Sequence, residues 1–413
     1  MTERHGSPAE LGPQKWLNRN VIGMGLTSFL SDAGHEMATA VLPGFLAVIG
    51  APAAALGLIE GVADAASSFV KLAAGWYTDR IGHRKAITIG GYFVTGVAKA
   101  LFALAYAWPL VLVGRTAAWL GRGVRGPLRD AILAESVPAE SRGRAFGFHR
   151  AGDTLGAIVG PAIAVALLAW LQPHATADPS APFRLIFWLT LIPGVSSAVA
   201  FAALVTERRR APSHELRFWG ALKSLPSSYR RLLVGVGVFG LADFAPTLMI
   251  LAATQLLTPG HGVVHAAQIA GLLYMVRNIA YAGASFPIGA LSDRVGRRGL
   301  LVLGYLVGAV VAAGFGLAFM FSLHSMAYLL ALFVLAGVYI AAEDALEGVM
   351  TADYTAPEVR GTAYGLLATV NGVGDFVASA AVGLLWTGVS PVAGFGYAAV
   401  LMLIGAAILH TVR

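Results

Sequence analysis

The sequence predicts an all-α integral membrane protein in which twelve transmembrane helices form two related six-helix halves. Of the 413 residues, 57% are hydrophobic and 12% are charged, whereas a soluble domain carries roughly 25% charged residues. The hydrophobic residues are grouped in blocks of roughly twenty or more, which is long enough to cross a bilayer as helix. A charged loop sequence also occurs twice, about half a chain apart. These observations exclude a soluble multidomain protein.

The predicted spans follow the apolar blocks in chain order. They cover residues 20–48, 53–78, 86–106, 109–135, 142–172, 182–206, 229–257, 265–291, 299–321, 325–353, 360–386 and 391–412. We accordingly divide the chain into an N-terminal tail at 1–19, a first half at 20–206, a linker at 207–228 and a second half at 229–413. The tail lacks the pattern of a cleavable signal peptide, so we expect the first span to be permanent.

The composition argues against several other function classes. The formal net charge is +7, but the cations lie in short loops between apolar blocks, so we expect no nucleic-acid partner. The chain contains no cysteine, which excludes disulfides and thiolate metal sites. The sequence shows no P-loop, nucleophile elbow or soluble catalytic domain, so we expect neither enzymatic activity nor a bound cofactor.

The repeated loop sequence has the pattern G-x-x-x-D-R-x-G-x-R between two apolar segments. Its residues are Gly75, Asp79, Arg80, Gly82 and Arg84 in the first copy and Gly289, Asp293, Arg294, Gly296 and Arg298 in the second. A helix cannot stay in lipid through Asp-Arg, and glycine lets the chain reverse. Two copies in register resemble the loop between helices 2 and 3, and again 8 and 9, of the major facilitator superfamily. The resemblance spans the chain and implies a transporter with a site between its two halves.

A second internal repeat supports the duplication, because residues 134–147 match residues 352–365. Each copy is a short turn that leads into a helix. The family resemblance implies that the acid of each loop motif lies near the start of such a helix in the other half, which pairs Asp79 with 355–361 and Asp293 with 136–143. A carboxylate at a helix N-terminus is favoured by about 0.3–1 kcal/mol. We therefore expect the two motifs to hold the cytoplasmic side shut.

The Lys and Arg residues predict the orientation in the membrane. The loops near 50–54, 258–264, 321–326 and 387–391 contain none. The opposite loops and the linker are basic, with Arg80, Arg84, Lys85, Arg142, Arg144, Arg208, Arg209, Arg210, Arg294, Arg297 and Arg298 among their cations. By the positive-inside rule, both termini are cytoplasmic. We expect a monomeric, multi-pass protein of a cell membrane, most consistent with a bacterial inner membrane.

Ionisable residues inside the spans are the candidates for function, because a charge near the bilayer centre is costly. The candidates for proton coupling and the substrate cavity are Asp32, His35, Glu36, Glu60, Asp64, Arg125, His149, Asp153, Asp243, Glu343 and Glu347. Asp32, Glu36 and Glu60 rank first as proton carriers, with Arg125 as the cation that tunes them. Exchange of an ion-pair partner during alternating access can load and unload a proton.

Two alternatives apply to the same residues. One is that the charges only neutralise neighbours within a half, as Arg125 with Asp130 or Glu60 with Lys71. The other is transport of a divalent metal ion, for which nitrogen and oxygen ligands are available. The residues that could supply these ligands are Asp32, His35, Glu36, His149 and Asp153.

The fifth span carries a hint of direction. It matches most of the superfamily's antiporter motif, G-x8-G-x3-G-P-x2-G-G, through Gly147, Gly156, Gly160 and Pro161, but the last two glycines are absent. The small residues would also serve close helix packing. The resemblance favours a proton-coupled transporter that exports a small molecule by antiport. The alternatives are a proton-coupled importer of a small organic acid, with the arginines of the fourth span as anion ligands, and an exporter of divalent metal cations.

Overall fold

The structure is a computed structural model, and it describes residues 16–81, 84–138, 141–172, 178–207, 226–355 and 360–411. Within these ranges the chain is helical and forms no strand. The helices of the first half are α1 (Arg19–Val48), α2 (Ala53–Ile81), α3 (Lys85–Ala98, continued as a 3-10 helix over Lys99–Leu104), α4 (Trp108–Glu135), α5 (Arg142–Leu171) and α6 (Ala181–Leu189 and Leu191–Leu204).

The second half repeats this arrangement. Its helices are α7 (Ser227–Gly240 and Pro246–His261), α8 (Val263–Val295), α9 (Arg297–Met320), α10 (Met326–Tyr354), α11 (Arg360–Gly388) and α12 (Pro391–Thr411). Each helix coincides with one predicted span, which confirms the predicted fold class. Nine of these described helices are long and apolar enough to cross a membrane on length and composition alone. The other three are α1, α4 and α7, of which α7 is broken in the middle.

Glycine at positive φ closes the tight turns between the helices. Gly50 ends α1 with φ +74°, and Gly262 joins α7 to α8 with φ +71°. Gly296, the turn glycine of the second loop motif, has φ +95°. A side chain is disfavoured in this backbone region. The prediction that this motif reverses the chain is therefore confirmed for the second copy.

The break in α7 is a departure from the predicted continuous span 229–257. Helical structure stops between Gly240 and Pro246, and the freed backbone groups find partners on neighbouring helices. The Tyr397 hydroxyl donates to the Leu241 carbonyl oxygen at 2.9 Å, and the Ala245 N–H donates to the Ser379 hydroxyl at 3.0 Å. Non-helical backbone at membrane depth is tolerated when protein groups satisfy it in this way.

The two halves are packed closely on one side of the molecule. We call the side with the turns at Gly50 and Gly262 the far side, and the opposite side, where the described chain begins at Trp16 and ends at Thr411, the termini side. On the far side, the Ala54 N–H of α2 donates to the Thr387 hydroxyl of α11 at 2.9 Å. The Gln268 amide of α8 also donates to the Gln172 side chain at the end of α5, at 2.7 Å. The structure is therefore closed on the far side.

The glycines of α5 pack against α1. A Cβ at Gly156 would lie 2.6 Å from the Phe29 carbonyl oxygen, and one at Gly160 would lie 2.5 Å from the Ala33 carbonyl oxygen. Gly147, the first glycine of the motif, has no described atom within 4 Å of such a Cβ. Close backbone approach therefore accounts for Gly156 and Gly160, but not for Gly147.

Ion pairs tie the loop motifs to the ends of α4 and α10. The Arg84 guanidinium contacts the Glu135 carboxylate at 2.7 Å. In the second half Arg297, one position before the counterpart of Arg84, contacts Asp353, the counterpart of Glu135. The Glu207 carboxylate also accepts the backbone N–H of Arg84 at 2.8 Å at the start of α3, where an anion is favoured by the helix dipole. Each motif thus fixes a helix pair within its own half.

The predicted contacts between the halves at these motifs lie outside the described residues. This applies to Gly82 and to the side chains of Asp79, Arg80 and Asp293, as well as to residues 356–359 before α11. The role of Asp79 and Asp293 in holding the cytoplasmic side shut stays a prediction.

Candidate functional site

A cavity of about 260 Å³ lies between the two halves, near the midpoints of the helices that form it. The first half contributes α1, α2 and α4, and the second half contributes α8, α10, α11 and the broken segment of α7. The side chains that line it are mostly polar or aromatic: His35, Glu36, Thr39, Glu60, Asp64, Arg115, Trp119, Arg122, Asp243, Thr247, Tyr274, Arg277, Tyr339 and Asp375. A concave site of this kind, lined by convergent polar groups, is suited to binding a small molecule.

The first ion pair of the cavity wall joins α4 to α2. The Arg115 guanidinium donates from Nε at 3.0 Å and from Nη2 at 2.9 Å to the same oxygen of Glu60, Oε2. Its Nη1 also donates to the Thr39 hydroxyl of α1 at 3.2 Å. Arg115 and Glu60 are each 2% exposed. The other carboxylate oxygen, Glu60 Oε1, has no hydrogen-bond partner among the described residues.

The second ion pair joins α4 to α1. Asp32 Oδ1 lies 3.2 Å from Arg122 Nη1 and 3.9 Å from Arg125 Nη2. The Arg125 guanidinium is also 4.0 Å from the ring centre of Tyr92, a cation–π contact. Asp32 therefore lies between two cations, and Arg122 rather than the expected Arg125 is the closer one.

The alternative pairings considered from the sequence are wrong. Asp130 forms an ion pair with the adjacent Arg129 at 2.9 Å and not with Arg125. Glu60 pairs with Arg115 on α4, not with Lys71 on its own helix. The charges of the first half therefore neutralise one another within that half, as this alternative expects, but with partners on different helices.

Two other acids of the cavity accept hydrogen bonds from tyrosines. The Tyr274 hydroxyl of α8 donates to Glu36 at 2.8 Å, a contact that crosses between the halves. The Tyr339 hydroxyl of α10 donates to Asp243 at 3.0 Å. Asp243 lies in the break of α7, and this break brings its carboxylate to the cavity.

Some of the predicted site residues lie away from the cavity. His149 accepts or donates a hydrogen bond with the Ser28 hydroxyl at 2.5 Å and lies 3.5 Å from Asp153, so it joins α5 to α1. Glu347 accepts hydrogen bonds from Tyr305 and from Asn371, inside the second half. The residues that lie outside the cavity wall are Asp32, Arg125, His149, Asp153, Glu343 and Glu347.

The proposed metal ligands do not converge. Among the described residues, no group of three or more His, Asp or Glu side chains is arranged to hold a metal ion. Instead, Asp32 faces arginines, Glu36 faces Tyr274, and His149 faces Ser28 and Asp153.

The predicted site omits several residues of the cavity. Arg115 and Arg122 carry a usable signal, because a spacing of seven residues puts both on the face of α4 that Arg129 continues. Asp375 also carries one, as an acid within an apolar span. Tyr274 and Tyr339 carry none in the sequence, since tyrosine is common in such helices.

Comparison with known proteins gives the family of this fold and site. The family model described as Major Facilitator Superfamily matches residues 24–267 and 263–413, and the two matches together cover nearly the whole chain. The chain belongs to the major facilitator superfamily. An uncharacterised MFS-type transporter of Methanocaldococcus jannaschii is 32% identical over 393 residues, which are 95% of this chain and 94% of the relative.

Two further comparisons also match transporters. A probable 4-methylmuconolactone transporter of Cupriavidus pinatubonensis is 26% identical over 66% of this chain and 62% of its own length. The crystal structure of a bacterial homologue of the human lysosomal transporter Spinster, inward-facing and occupied, matches with a TM-score of 0.72. It covers 94% of this chain and 95% of its own at 17% identity, a likeness that shows the fold alone. This member of the superfamily is thus a multi-pass membrane transporter.

Proposed function

We propose that this protein is a proton-coupled secondary transporter that exports a small molecule by alternating access. The observation that carries the proposal is the pair of buried ionic contacts beside the cavity, Glu60 with Arg115 and Asp32 with Arg122. Buried ion pairs seldom add to stability and are often retained for another role. In a membrane, such groups mark ion and proton pathways.

Glu60 is the preferred proton carrier because its geometry allows a proton to reach it. Its Oε1 atom has no donor among the described side chains, and the residue lines the cavity. Protonation would remove the charge that holds Arg115 through Oε2. The guanidinium would then be free to take another partner, such as water. A proton that binds one access state better than the other drives the conversion between them.

Asp32 is the second candidate and Glu36 the third. Asp32 pairs with Arg122, which lines the cavity. Because Arg122 and Arg115 lie on the same helix, α4, we expect protonation of Glu60 to affect Asp32 through that helix. Glu36 bridges the halves through Tyr274. Its protonation would leave that hydrogen bond with a weaker acceptor and loosen a contact between α1 and α8.

Export is supported by the resemblance of α5 to the antiporter motif. The packing of Gly156 and Gly160 against α1 would serve transport in either direction, so the direction rests on the resemblance alone.

A second candidate is proton-coupled uptake of a small organic acid. Three guanidinium groups, those of Arg115, Arg122 and Arg277, reach the cavity, and a carboxylate substrate would suit them. The likeness to a 4-methylmuconolactone transporter supports this candidate. The contact of Arg115 with Glu60 counts against it, because an anion would have to displace that carboxylate.

The test is flux in proteoliposomes with an imposed pH gradient, using a panel of small amines, acids and neutral compounds. We expect the proton gradient to drive transport of at least one compound, in the direction opposite to proton movement. Glu60→Gln should abolish gradient-driven flux yet leave exchange of the same compound measurable. Asp130→Asn, a membrane carboxylate paired with Arg129 outside the cavity, is the control. Flux in the direction of proton movement would instead support uptake.

A further inference from the structure

The cavity wall carries more acids than bases. Five carboxylates line it but only three guanidinium groups. Arg115 is already matched by Glu60, and Arg122 is matched by Asp32 behind the wall. Arg277 donates to the amide oxygen of its neighbour Asn278. Two of the three guanidinium groups thus have a carboxylate partner, whereas four of the five acids have no cation at ion-pair distance among the described residues.

Four of these carboxylates have no cation at ion-pair distance in the part of the chain that the structure describes. Glu36 and Asp243 each accept a hydrogen bond from a tyrosine, which is a neutral donor. Asp64 of α2 and Asp375 of α11 face the cavity from the two halves, and both interact electrostatically with Lys71. Asp375 also interacts with Asp64, and Asp64 interacts with Glu60 and Arg115. Like charges brought together in a membrane need a cation or a proton between them.

Six buried side-chain atoms of the wall lack a hydrogen-bond partner among the described residues, on His35, Glu60, Trp119, Arg122, Thr247 and Arg277, and two of the six are oxygen atoms. Glu60 Oε1 and the Thr247 hydroxyl have no hydrogen-bond partner among the described residues, and the two residues are 2% and 1% exposed. An acceptor left unmatched in a buried wall is costly. A ligand that donates hydrogen bonds from within the cavity can satisfy these atoms, since both residues line it, Glu60 from α2 and Thr247 from α7.

We propose that the cavity binds an organic molecule that carries a protonated amine, with Asp64, Asp375, Glu36 and Asp243 as the carboxylates that surround it. The proposal rests on the proposed function, since it names the substrate class of the same cavity. An ammonium group supplies the missing charge and up to three hydrogen-bond donors. Because the four acids come from both halves, such a ligand also joins the halves around itself.

The other charged groups nearby do not reverse this conclusion. Arg125 lies behind the wall on α4, where it faces Asp32. Lys99 of α3 is fully buried among Arg115, Arg122, Arg125 and Asp32, so its charge also acts behind the first-half wall. These cations favour an anionic group only on the first-half side, whereas the second-half wall carries Asp243 and Asp375 against one cation, Arg277, which interacts electrostatically with Asp243.

The cavity volume limits the size of the amine. About 260 Å³ is slightly below the range of about 300–1,000 Å³ that is usual for pockets of drug-sized ligands. The conformation described here therefore fits a small amine with a single ring or a short chain. Trp119, Tyr274 and Tyr339 supply aromatic faces for the apolar part and for the cation itself.

Equilibrium binding tests the proposal without any gradient. The purified full-length protein in lipid nanodiscs is titrated with two matched series: phenethylamine, phenethyl alcohol and phenylacetate, and hexylamine, hexanol and hexanoate. We expect the amine of at least one series to bind at least about tenfold more tightly than its alcohol, equivalent to about 1.4 kcal/mol. We expect the acid of that series to bind most weakly. Failure of both amines to bind, or tighter binding of the acids, would overturn the proposal.

Variants of the wall separate this site from adventitious binding. Asp64→Asn, Asp375→Asn and Glu36→Gln, made singly, should each weaken binding of the amine severalfold and leave the alcohol unaffected. Asp130→Asn should bind the amine as the wild type does. Size-exclusion elution and thermal unfolding establish which variants fold, and three independent positions keep the test decisive if one does not. Unchanged amine binding in every folded wall variant would contradict the proposal. Since no proton gradient is present, this result is independent of whether transport is proton-coupled.

Discussion

At the scale of residues, the proposed proton coupling depends most on the contact between Arg115 and Glu60. Both side chains are almost fully buried, and both guanidinium contacts converge on one carboxylate oxygen. Removing one partner of such a pair leaves an uncompensated charge, whereas removing both does not.

We predict that Arg115→Met destabilises the protein by about 3–5 kcal/mol, because it leaves the Glu60 carboxylate without its cation. Adding Glu60→Gln to the same chain should recover most of the loss. The measurement is a double-mutant cycle on the free energy of unfolding of the protein in detergent, by denaturant or by heat. Asp130→Asn, at an unrelated position, is the control. Simple additivity of the two single losses would show that the contact carries no coupling energy.

The sequence identifies which residues are charged within the membrane, but not how they pair. Asp130 illustrates the limit, because it is adjacent to Arg129 in sequence and pairs with it rather than with Arg125. Glu60 and Arg115 are 55 residues apart, and their contact depends on the rotation and register of α2 against α4. Neither quantity can be read from the periodicity of a single helix.

At the scale of elements, the packing of α5 on α1 requires glycine at two of the motif positions. A methyl group at Gly156 would lie 2.6 Å from the Phe29 carbonyl oxygen and 2.8 Å from the Ala33 nitrogen. Those backbone atoms cannot move without separating the helices.

We therefore expect Gly156→Ala to lower the free energy of unfolding by about 1–3 kcal/mol, as other overpacked sites do. Gly147→Ala is the matched control, because it changes the same helix and motif at a position with open space. Alanine there should be neutral or slightly stabilising, since glycine is a poor helix former by about 1 kcal/mol. Thermal unfolding of both variants checks the prediction. Equal effects would contradict the packing role.

The break in α7 shows what a hydropathy pattern conceals. The apolar block predicts one span over 229–257, but Pro246 disfavours helix at the residue before it. That signal is present in the sequence. The partners that make the break tolerable, Ser379 and Tyr397, lie more than a hundred residues away and only the fold brings them to α7.

We predict that Ser379→Ala destabilises the protein by about 1–3 kcal/mol, the cost of a buried donor without its acceptor. The Ala245 N–H loses its partner in this variant. Ser325→Ala removes a hydroxyl that makes no capping hydrogen bond at the exposed start of α10 and should have no measurable effect. Comparable unfolding curves for the wild type and Ser379→Ala would show that the break needs no such support.

At the scale of the whole molecule, the sequence predicts the fold well and the cavity only partly. Twelve spans appear because backbone groups in lipid must be satisfied within helices, so apolar blocks translate directly into helices. The cavity is formed by the angle and depth at which the halves meet. Its tyrosines and its unmatched acids, such as Asp375, become recognisable only when that geometry is known.

We predict that both termini face the cytoplasm. Twelve helices put them on the same side, and the Lys and Arg residues of the loops select that side. A phosphatase fused after Arg413 should be inactive, and a fluorescent reporter fused there should fluoresce. An active phosphatase would show that the termini lie outside the cytoplasm. The predicted orientation, and with it the predicted direction of transport, would then be wrong.

We infer that protonation of Glu60 shifts the equilibrium between access states. The chain contains no cysteine, so spin labels can be placed at Ala107→Cys and Ser325→Cys, exposed far-side turns of opposite halves. The most direct measurement is the distribution of the distance between these labels in nanodiscs, followed by pulsed electron resonance from acid to alkaline pH. We predict that the distance between the two labels changes with pH in otherwise wild-type protein. In Glu60→Gln the distance distribution should be the same at every pH, and in Asp130→Asn it should change as it does in the wild type. A Glu60→Gln protein with an unaltered pH response would contradict the account.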